Sequence, residues 1–414
     1  MSSKPKTTAT KEEATPALVP KLRFPDFREA WATKTLGTLG YFTGGGTPSK
    51  ENEAYWTGEI PWISSSDLIE DSISQIRINR FITKQAVQDS ATKLVPAKSI
   101  LLISRVGVGK LALSTFPLCT SQDFTNFTPT AADPLFLAYL LKSRKETLLS
   151  FNQGTSIKGF TKDNIATLEL GFPTPAEQQK IAECLSSVDE LIAAQARKLD
   201  ALKTHKKGLM QQLFPRAGET QPRLRFPEFQ NAGEWDVKPL GKAAENLDNR
   251  RRPITSSDRE AGDVPYYGAS GIVDYVEGFI FDEDLLCVSE DGANLVARSY
   301  PIAFPISGKT WVNNHAHVLR FANPCTQKFV EVYLNSIKLD DFITGMAQPK
   351  LNKAMLDKIP IPYPEVPEQQ RIADCLTSLD DLIAAQTQKH EALKTHKKGL
   401  MQQLFPSQDE QKTL

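Results

Sequence analysis

The chain has 414 residues, of which 40% are hydrophobic and 24% are charged. These values are typical of a soluble globular protein with more than one domain, and they exclude a fully disordered chain, a collagen-like fibre and a disulfide scaffold. Lys plus Arg number 49 and Asp plus Glu number 49, so the formal net charge is zero. A protein that coats nucleic acid non-specifically carries a basic excess. Any nucleic-acid binding must therefore come from local patches or from partner subunits.

The terminal and cysteine patterns indicate a cytoplasmic protein. The five cysteines, at positions 119, 184, 287, 325 and 375, are scattered and form no CxxC motif, which is typical of a reducing compartment. The first twenty residues lack the apolar region of a signal peptide. No apolar run reaches the roughly 18 residues that a membrane span needs. We expect disordered tails at residues 1–20 and 407–414.

An internal duplication dominates the sequence. Glu177–Pro215 reads EQQKIAECLSSVDELIAAQARKLDALKTHKKGLMQQLFP, and Glu368–Pro406 repeats it at about three quarters of its positions. A second repeat opens each half, because Leu22–Phe27 reads LRFPDF and Leu224–Phe229 reads LRFPEF. The middle stretches differ strongly from each other. Identical scaffolds around different inserts indicate two readers of different targets.

Each repeated tail predicts one long helix, because its apolar residues recur at spacings of three and four. With Ile181 at heptad position d, Gln195 and Lys206 fall inside the apolar seam. At about 1.5 Å per residue, such a helix is roughly 55 Å long. The seam residues are Ile181, Leu185, Val188, Ile192, Leu199, Leu202, Leu209 and Leu213, then Ile372, Leu376, Leu379, Ile383, Leu393, Leu400 and Leu404.

Because both seams belong to one chain, we expect the two helices to pair as an antiparallel coiled coil. The alternative is that each helix packs only on its own domain. Gln195 in the seam has two interpretations: it fixes the register at a cost in stability, or it is tolerated near a water-exposed end of the pair.

The middle stretches predict two α+β domains of mixed α/β character, because short strands and helices alternate with turns rich in Gly, Pro, Asn and Asp. The predicted strands are Ser99–Ser104, Leu111–Ser114, Leu285–Ser289 and His315–Phe321, and the predicted helices are Pro134–Lys145 and Gln327–Leu339. The predicted boundaries are domain 21–173, helix 174–215, linker 216–223, domain 224–364 and helix 365–406.

Two glycine-rich stretches imitate catalytic motifs. Phe42–Gly46 matches the FxGxG pattern of S-adenosylmethionine sites, but Thr-Pro-Ser follows it where such a site needs a helix. Gly107–Lys110 resembles the end of a P-loop, but Ser104 and Leu111 stand where Gly and Ser or Thr are required. We therefore predict a hairpin turn at Gly107–Lys110 and no nucleotide site.

His315 and His317 would lie on one face of a strand. No Cys, Asp or Glu cluster completes a metal site, so we favour hydrogen bonding or ligand contact over metal binding. The sequence shows no nuclease carboxylate–lysine set and no Ser-His-Asp set. We predict a chain without catalytic residues or metal ligands.

In duplicated order, these motifs resemble the specificity (S) subunit of a type I restriction–modification enzyme over nearly the whole chain. Each tail begins with Pro-Ala-Glu-Gln-Gln or Val-Pro-Glu-Gln-Gln, then continues through Ile-Ala into Leu-x-x-x-Asp-x-x-Ile. The other motifs that carry the resemblance are Gly45–Ser49, Tyr55–Trp56, Ile60–Trp62, Tyr266–Gly271 and Trp311–His315. Each is weak alone, and the ensemble is specific.

The resemblance implies a bacterial or archaeal protein in which each variable domain is a target-recognition domain for one half of a split DNA site. It implies that the helices set the spacer and dock two methyltransferase (modification) subunits, which recruit restriction/translocase subunits. Adenine methylation and ATP-driven cleavage, with S-adenosylmethionine, ATP and Mg, would belong to these partners. The alternatives are a protein-binding adaptor with twin domains, which would leave no DNA footprint, and an enzyme with an unrecognised site.

Candidate DNA contacts are basic, polar or aromatic residues in turn-rich contexts. Arginine forks suit phosphate or guanine and Asn suits adenine edges, although a basic run is also common as a solvated loop and Asn as a turn residue. The candidates are Lys50, Ser64, Ser65, Ser66, Arg105, Lys110 and Lys158, then Asn249, Arg250, Arg251, Arg252, Tyr266, Tyr267, Ser270, Asn294, Lys309, Asn313, Asn314, His315, Gln348 and Lys350. We expect Trp56 and Trp62 to be core residues, and Arg251→Ala to weaken DNA binding and its salt dependence.

Overall fold

The structure, a computed structural model, describes residues 19–70, 72–151, 159–216, 218–345 and 348–406. It divides into two compact units. Unit 1 comprises the residues up to Gln195 together with those from Lys389 onward, and unit 2 comprises Ala196–Gln388. The predicted tail at 407–414, and residues 1–18 of the other predicted tail, lie outside the described residues.

Unit 1 is built from short strands and helices around one large sheet. Its strands are β1 (Ala32–Thr35), β2 (Gly40–Gly44), β3 (Ile60–Ile63), β4 (Phe81–Ile82), β5 (Ile100–Ile103), β6 (Leu111–Leu113), β7 (Cys119–Thr120), β8 (Phe124–Pro129) and β9 (Glu169–Phe172). Its helices are α1 (Lys84–Asp89), α2 (Pro134–Ser143), α3 (Lys145–Ser150), α4 (Lys162–Ala166) and part of α5 (Pro175–Leu213). The sheet orders are β2-β8-β5-β6, β4-β3-β7 and β1-β9. The core of the unit includes the buried residues Phe127 and Phe136.

Unit 2 has a matching set of elements. Its strands are β10 (Asp236–Pro239), β11 (Glu245–Asn246), β12 (Ala261–Gly268), β13 (Gly271–Val276), β14 (Phe281–Asp282), β15 (Leu285–Ser289), β16 (Ala303–Ile306), β17 (Lys309–Val312), β18 (Ala316–Arg320) and β19 (Pro360–Tyr363). Its helices are α6 (Leu240–Ala243), α7 (Asn294–Ala297), α8 (Pro324–Ser336), α9 (Lys353–Leu356) and part of α10 (Val366–Leu404). The sheet orders are β11-β18-β15-β16, β13-β12-β17-β14 and β10-β19.

The two units share one skeleton although their middle sequences differ. The four-stranded sheets β2-β8-β5-β6 and β11-β18-β15-β16 are antiparallel throughout. Each unit also contains one parallel pair, β3 with β7 or β12 with β17, and one antiparallel pair that joins its first and last strands. The mixed sheet-and-helix architecture and the internal repeat confirm the predicted fold class.

The two long helices, of 39 residues each, run antiparallel where they meet within a unit. In unit 1, Asp189 of α5 forms an ion pair with Lys397 of α10 at 2.6 Å, while Leu185 and Leu404 share one hydrophobic cluster. Residue numbers therefore rise along one helix as they fall along the other, which confirms the predicted antiparallel pairing. All the predicted seam residues are buried or half-buried.

Unit 2 repeats this pairing with the partners exchanged. Lys206 of α5 forms an ion pair with Asp380 of α10 at 2.5 Å. In the duplicated sequence, Asp380 corresponds to Asp189 and Lys206 corresponds to Lys397. Gln195 is buried and lies near the middle of α5, so its interpretation as a residue near an exposed helix end is wrong.

The repeated head motif is anchored to the start of the long helix in its own unit. Arg23 forms a two-pronged ion pair with the buried Glu177, with both N–O distances 2.8 Å. Arg225 binds the buried Glu368 in the same way, at 2.7 Å. Such bidentate pairs between guanidinium and carboxylate are geometrically specific. The arginine of the repeated LRFP motif is therefore a structural residue.

Two predicted helix boundaries were wrong, and a capping residue accounts for the first of them. The helix predicted at 327–339 is α8, which begins at Pro324 because the Asn323 side chain accepts a hydrogen bond from the Cys325 amide. The helix predicted to reach Lys145 ends at Ser143. The predicted hairpin turn at Gly107–Lys110 is confirmed between β5 and β6. Among the described residues, no helix combines the length and apolar character that crossing a membrane requires.

Candidate nucleic-acid interface

Four loops of unit 2 meet at one end of its sheets. They are the turn 268–271 between β12 and β13, the loop 290–302 after β15, the loop 313–315 between β17 and β18, and a fourth loop of which residues 344–345 and 348–351 are described. Seven of the predicted contact residues lie in these loops, and Tyr267 lies directly beside one of them. We call these four loops loop cluster 2.

Main-chain hydrogen bonds fix the loops of cluster 2 to one another. The Glu290 amide donates to the His315 carbonyl at 2.9 Å, and the Glu290 carbonyl accepts from the Leu351 amide at 2.7 Å. The Asn313 amide donates to the Tyr267 carbonyl at 3.0 Å. Polar side chains from distant parts of the sequence therefore occupy defined positions on one surface.

Unit 1 uses the same three bonds with different residues. The Ser104 amide donates to the Asp123 carbonyl at 2.8 Å, and the Ser104 carbonyl accepts from the Phe160 amide at 3.0 Å. The Ser121 amide donates to the Ile63 carbonyl at 2.9 Å. Ser104 thus takes the place of Glu290, Asp123 that of His315 and Phe160 that of Leu351. We call the loops 64–67, 104–110, 120–123 and 159–160 loop cluster 1.

A network of buried charged residues packs against the inner side of the loops of cluster 2. His317 is fully buried, and its Nδ1 lies 2.6 Å from Asp248 Oδ2 while its Nε2 lies 2.7 Å from the Leu351 carbonyl. Burial alone would raise the pKa of Asp248. The hydrogen bond and charge of His317, the Val318 amide and Arg251 outweigh this effect and lower the pKa.

Arg251 and Lys350 complete this network. Arg251 Nη1 donates to Glu290 Oε2 at 2.6 Å and to the Ala316 carbonyl at 2.8 Å, and Arg251 Nη2 lies 3.3 Å from Asp248. Lys350 Nζ lies 3.3 Å from the other Glu290 oxygen, and its side chain is half exposed. Arg251 therefore acts as a link between loops, while Lys350 remains accessible to a ligand.

The position of His317 corrects the expectation that acidic residues are absent around the two histidines. Asp248, Glu290 and His317 present ligand atoms within 4.8 Å of one another. The cations Arg251 and Lys350 already bind the two carboxylates, so the group is an ion-pair network whose charges are used internally. No local sequence pattern indicated this network, because Asp248, Glu290 and His317 are far apart along the chain.

The prediction that both imidazoles share one strand face is wrong. Strand β18 begins at Ala316, so His315 belongs to the preceding loop. The His315 ring is half exposed, and its Nδ1 lies 2.8 Å from Asp291 Oδ2. His315 therefore points a polar side chain to the surface of cluster 2, and His317 supports the cluster from inside.

The predicted contact residues of unit 2 fall into three groups by exposure. The exposed ones are Asn249, Arg250, Arg252, Ser270, Lys309, Asn314, His315, Gln348 and Lys350. The half-buried ones are Arg251 and Tyr267, and the buried ones are Tyr266, Asn294 and Asn313. DNA contact by each of them stays a prediction.

The buried members have structural partners. Asn294 donates to the Tyr300 carbonyl at 2.9 Å and accepts from the Ser299 amide, and Asn313 accepts from the His315 amide at 2.8 Å. Lys309 begins β17 and lies at the strand end away from the loop 313–315. The amide side chains shape the loops of cluster 2 whether or not they also touch a ligand.

In unit 1, five predicted residues lie in cluster 1: Ser64, Ser65, Ser66, Arg105 and Lys110. Lys50 is exposed in a separate loop, and Lys158 lies outside the described residues. Lys110 Nζ lies 3.6 Å from Glu70, and Lys145 Nζ lies 3.1 Å from the same carboxylate. Lys145 was missed by sequence reasoning, because only the fold brings its helix beside the glycine-rich loop.

The diglycine that resembled a cofactor motif is required by packing. A Cβ on Gly45 would lie 1.9 Å from the Ser121 carbonyl oxygen, and one on Gly46 would lie 2.4 Å from the Thr92 amide. The Gly46 carbonyl also accepts a bond from the buried indole of Trp62 at 2.9 Å. Backbone therefore packs directly on backbone here, and Trp62 is the core residue that was predicted.

The duplicated loop clusters and the paired helices define a class of protein: a two-unit protein in which equivalent polar loop surfaces are carried on a pair of long antiparallel helices. A profile of the family described as "Type I restriction modification DNA specificity domain" matches residues 28–204 and 232–395. The chain therefore belongs to this family, as a type I restriction–modification specificity subunit with two such domains.

Individual relatives agree with this assignment. The chain is 33% identical over 255 residues to the type I restriction enzyme MjaIX specificity subunit of Methanocaldococcus jannaschii, and the match covers 59% of this chain and 58% of that protein. It is 24% identical to the MjaVIII specificity subunit of the same organism, over 93% of both chains. The crystal structure of the type I system S subunit from M. genitalium shares the fold, with a TM-score of 0.60, 18% identity and coverage of 94% of this chain and 99% of that chain.

Proposed function

We propose that each unit reads one half of a bipartite DNA target through its loop cluster. The recurrence of the same three main-chain bonds in both clusters, on different side chains, carries this proposal. A fixed loop framework with exchangeable side chains is what two sequence readers of different specificity need, because base edges are distinguished by the donors, acceptors and methyl groups that face them. Exposed polar side chains provide such groups in both clusters: Ser66, Arg105 and Gln122 in cluster 1, and Ser270, Asn314, His315 and Lys350 in cluster 2.

The paired helices set the spacer between the two half-sites and dock two methyltransferase subunits. The exchanged ion pairs Asp189–Lys397 and Asp380–Lys206 support this, since they fix the pairing of the helices in the same way in each unit. The duplication also supports two identical docking surfaces. Leu191 and Leu382 occupy the same position of the repeat, and both are exposed, at 57% and 39%.

The partners supply the chemistry. Methyltransferase subunits would bring S-adenosylmethionine for adenine methylation, and restriction/translocase subunits would bring ATP and Mg for cleavage of unmodified DNA. The zero net charge of the chain fits this division, because phosphate neutralisation needs cations that partners would add. The chain itself would act as the non-catalytic specificity subunit.

Mapping of methylated adenines tests this function. The chain is expressed with its methyltransferase partner in a host that lacks adenine methylation of its own, and the genome is read by long-read sequencing. We expect one motif of two short half-sites separated by a fixed number of unspecified bases. Methylation that does not depend on the chain, or a motif without a spacer, would contradict the proposal. An assembled complex that protects no DNA from cleavage would favour a protein-binding adaptor.

A further inference from the structure

The most exposed large hydrophobic side chain of the described residues lies in loop cluster 1. It is Val106, with 70% of its surface accessible, in the loop between the antiparallel strands β5 and β6. Gly107 and Gly109 follow it with φ angles of 92° and 90°, which only glycine adopts without strain. The Ile103 amide bonds to the Lys110 carbonyl at 3.0 Å and closes the loop. The loop therefore holds Val106 outward.

The second most exposed large hydrophobic side chain of the described residues lies in the corresponding loop of unit 2. Val296 is 59% exposed, and its loop joins β15 to β16, the pair that corresponds to β5 and β6. Its neighbours Asn294 and Leu295 are buried, and the Asn294 amide group bonds to the Tyr300 carbonyl and the Ser299 amide. The backbone on either side is thus anchored while Val296 projects into solvent.

Single exposed hydrophobic residues are common on protein surfaces and need no explanation by themselves. Here the two largest exposures fall in the same loop of two units whose sequences differ. Each of these loops also belongs to its unit's loop cluster, because Ser104 or Glu290 forms two of the three main-chain bonds that recur in both units. The coincidence of position indicates a shared role for an apolar group on the recognition surface.

We infer that Val106 and Val296 are base-reading residues, each of which contacts the C5-methyl group of a thymine in the major groove of one half-site. This inference rests on the proposed function. The methyl group is the one apolar feature of base edges in the major groove, and a small apolar side chain is its natural partner. In unit 1, Arg105 beside Val106, together with Lys110 and Lys145, supplies cations for the flanking phosphates.

Uracil substitution tests the inference on the complex of the chain with its methyltransferase subunits. Each thymine of the mapped target is replaced in turn by uracil, which lacks only the methyl group, and the Kd of the duplex is measured. We expect a loss of affinity of about fourfold at one thymine in each half-site, the value for one buried methyl-sized group. Val106→Ser should abolish this loss in one half-site only, and Val296→Ser in the other only.

A valine of similar exposure outside the clusters serves as the control. Val237 in β10 is 55% exposed, and Val237→Ser should leave every uracil penalty as in the unmodified chain. Uracil without effect at all thymines, penalties that persist in Val106→Ser and Val296→Ser, or a loss of subunit assembly in these variants would overturn the inference. A complex that does not bind the mapped target at all would refute the proposed function instead.

Discussion

At the scale of single residues, Arg251 shows how a side chain of suitable chemistry is used inside the fold. Its run of arginines predicts contact with phosphate or guanine, yet its guanidinium bonds to Glu290, Asp248 and the Ala316 carbonyl. Only 13% of the side chain is exposed. Its charge therefore balances two carboxylates that lie at most 12% exposed.

Replacement of this residue distinguishes a structural link from a phosphate contact. Arg251→Ala leaves Asp248 and Glu290 with fewer partners, so we expect the free energy of unfolding to fall by about 3 kcal/mol. The expected slope of log Kd for DNA against log salt is unchanged. Equilibrium denaturation and salt titration of the assembled complex measure both quantities.

The contact predicted from sequence alone gives the opposite pattern. A lost phosphate contact would reduce the salt slope by about one and leave the stability nearly unchanged. Arg252→Ala is the matched control, because Arg252 is exposed and is the next residue of the same arginine run. That variant should leave the unfolding free energy within about 0.5 kcal/mol of the original.

At the scale of elements, helix α2 of unit 1 contacts the ion pair between Asp189 and Lys397 of the long helices. Tyr139 of α2 donates from Oη to Asp189 at 2.6 Å, and Lys397 lies over the Tyr139 ring at 5.4 Å from its centroid. Burial, followed by the bond to Asp189, raises the pKa of Tyr139 well above its ordinary value. The phenol therefore stays a proton donor that ties α2 to the helix pair.

Loss of the Tyr139 hydroxyl should lower the free energy of unfolding of unit 1. Tyr139→Phe removes a buried hydrogen bond to a charged group, which is worth about 2 kcal/mol. Denaturant unfolding, followed by a probe in unit 1, measures the change. Tyr41→Phe is the control, since Tyr41 is half exposed. If both variants lost the same free energy of unfolding, the hydrogen bond to Asp189 would not stabilise unit 1.

The exposed leucines of the helices test partner docking. Leu191→Arg and Leu382→Arg each place a charge on an exposed apolar position and should each lower methyltransferase binding at one docking surface. Native mass spectrometry should show complexes with one methyltransferase subunit for each single variant and none for the double variant. Two bound subunits in the double variant would place docking elsewhere on the chain.

Local sequence patterns predicted the regular elements well and the interactions between them poorly. The spacing of Ile181, Leu185 and Val188 predicts α5, because helical periodicity is encoded within a few turns. The bond between Arg23 and Glu177 joins residues 154 positions apart, and no local pattern reports such a distance. The loop clusters depend on main-chain bonds such as Glu290 to His315, to which any residue type contributes.

The same reasoning explains the errors at the candidate site. His317 was placed on the same strand face as His315 because alternation within a strand is a local rule. Its burial depends on Asp248 and on the Leu351 carbonyl, which the tertiary fold supplies. Val106 and Val296 carried no signal in the sequence, because exposure is a property of the folded loop.

At the scale of the whole molecule, the duplication gives one chain two equivalent units and two equivalent helices. Both helices contribute to both units, with the Asp and Lys partners exchanged between them. In the proposed function, this arrangement separates two tasks. The loop clusters determine which bases are recognised, and the length of the paired helices determines the distance between the two half-sites.

The most direct test lengthens both helices and reads the methylated motif. Insertion of seven residues at the same repeat position of α5 and α10 keeps the heptad seam and adds about 10 Å of helix. Long-read mapping of methylated adenines should then show the same two half-sites with a spacer longer by about three base pairs, at 3.4 Å per base pair. Altered half-sites, or an unchanged spacer in an active complex, would contradict this account.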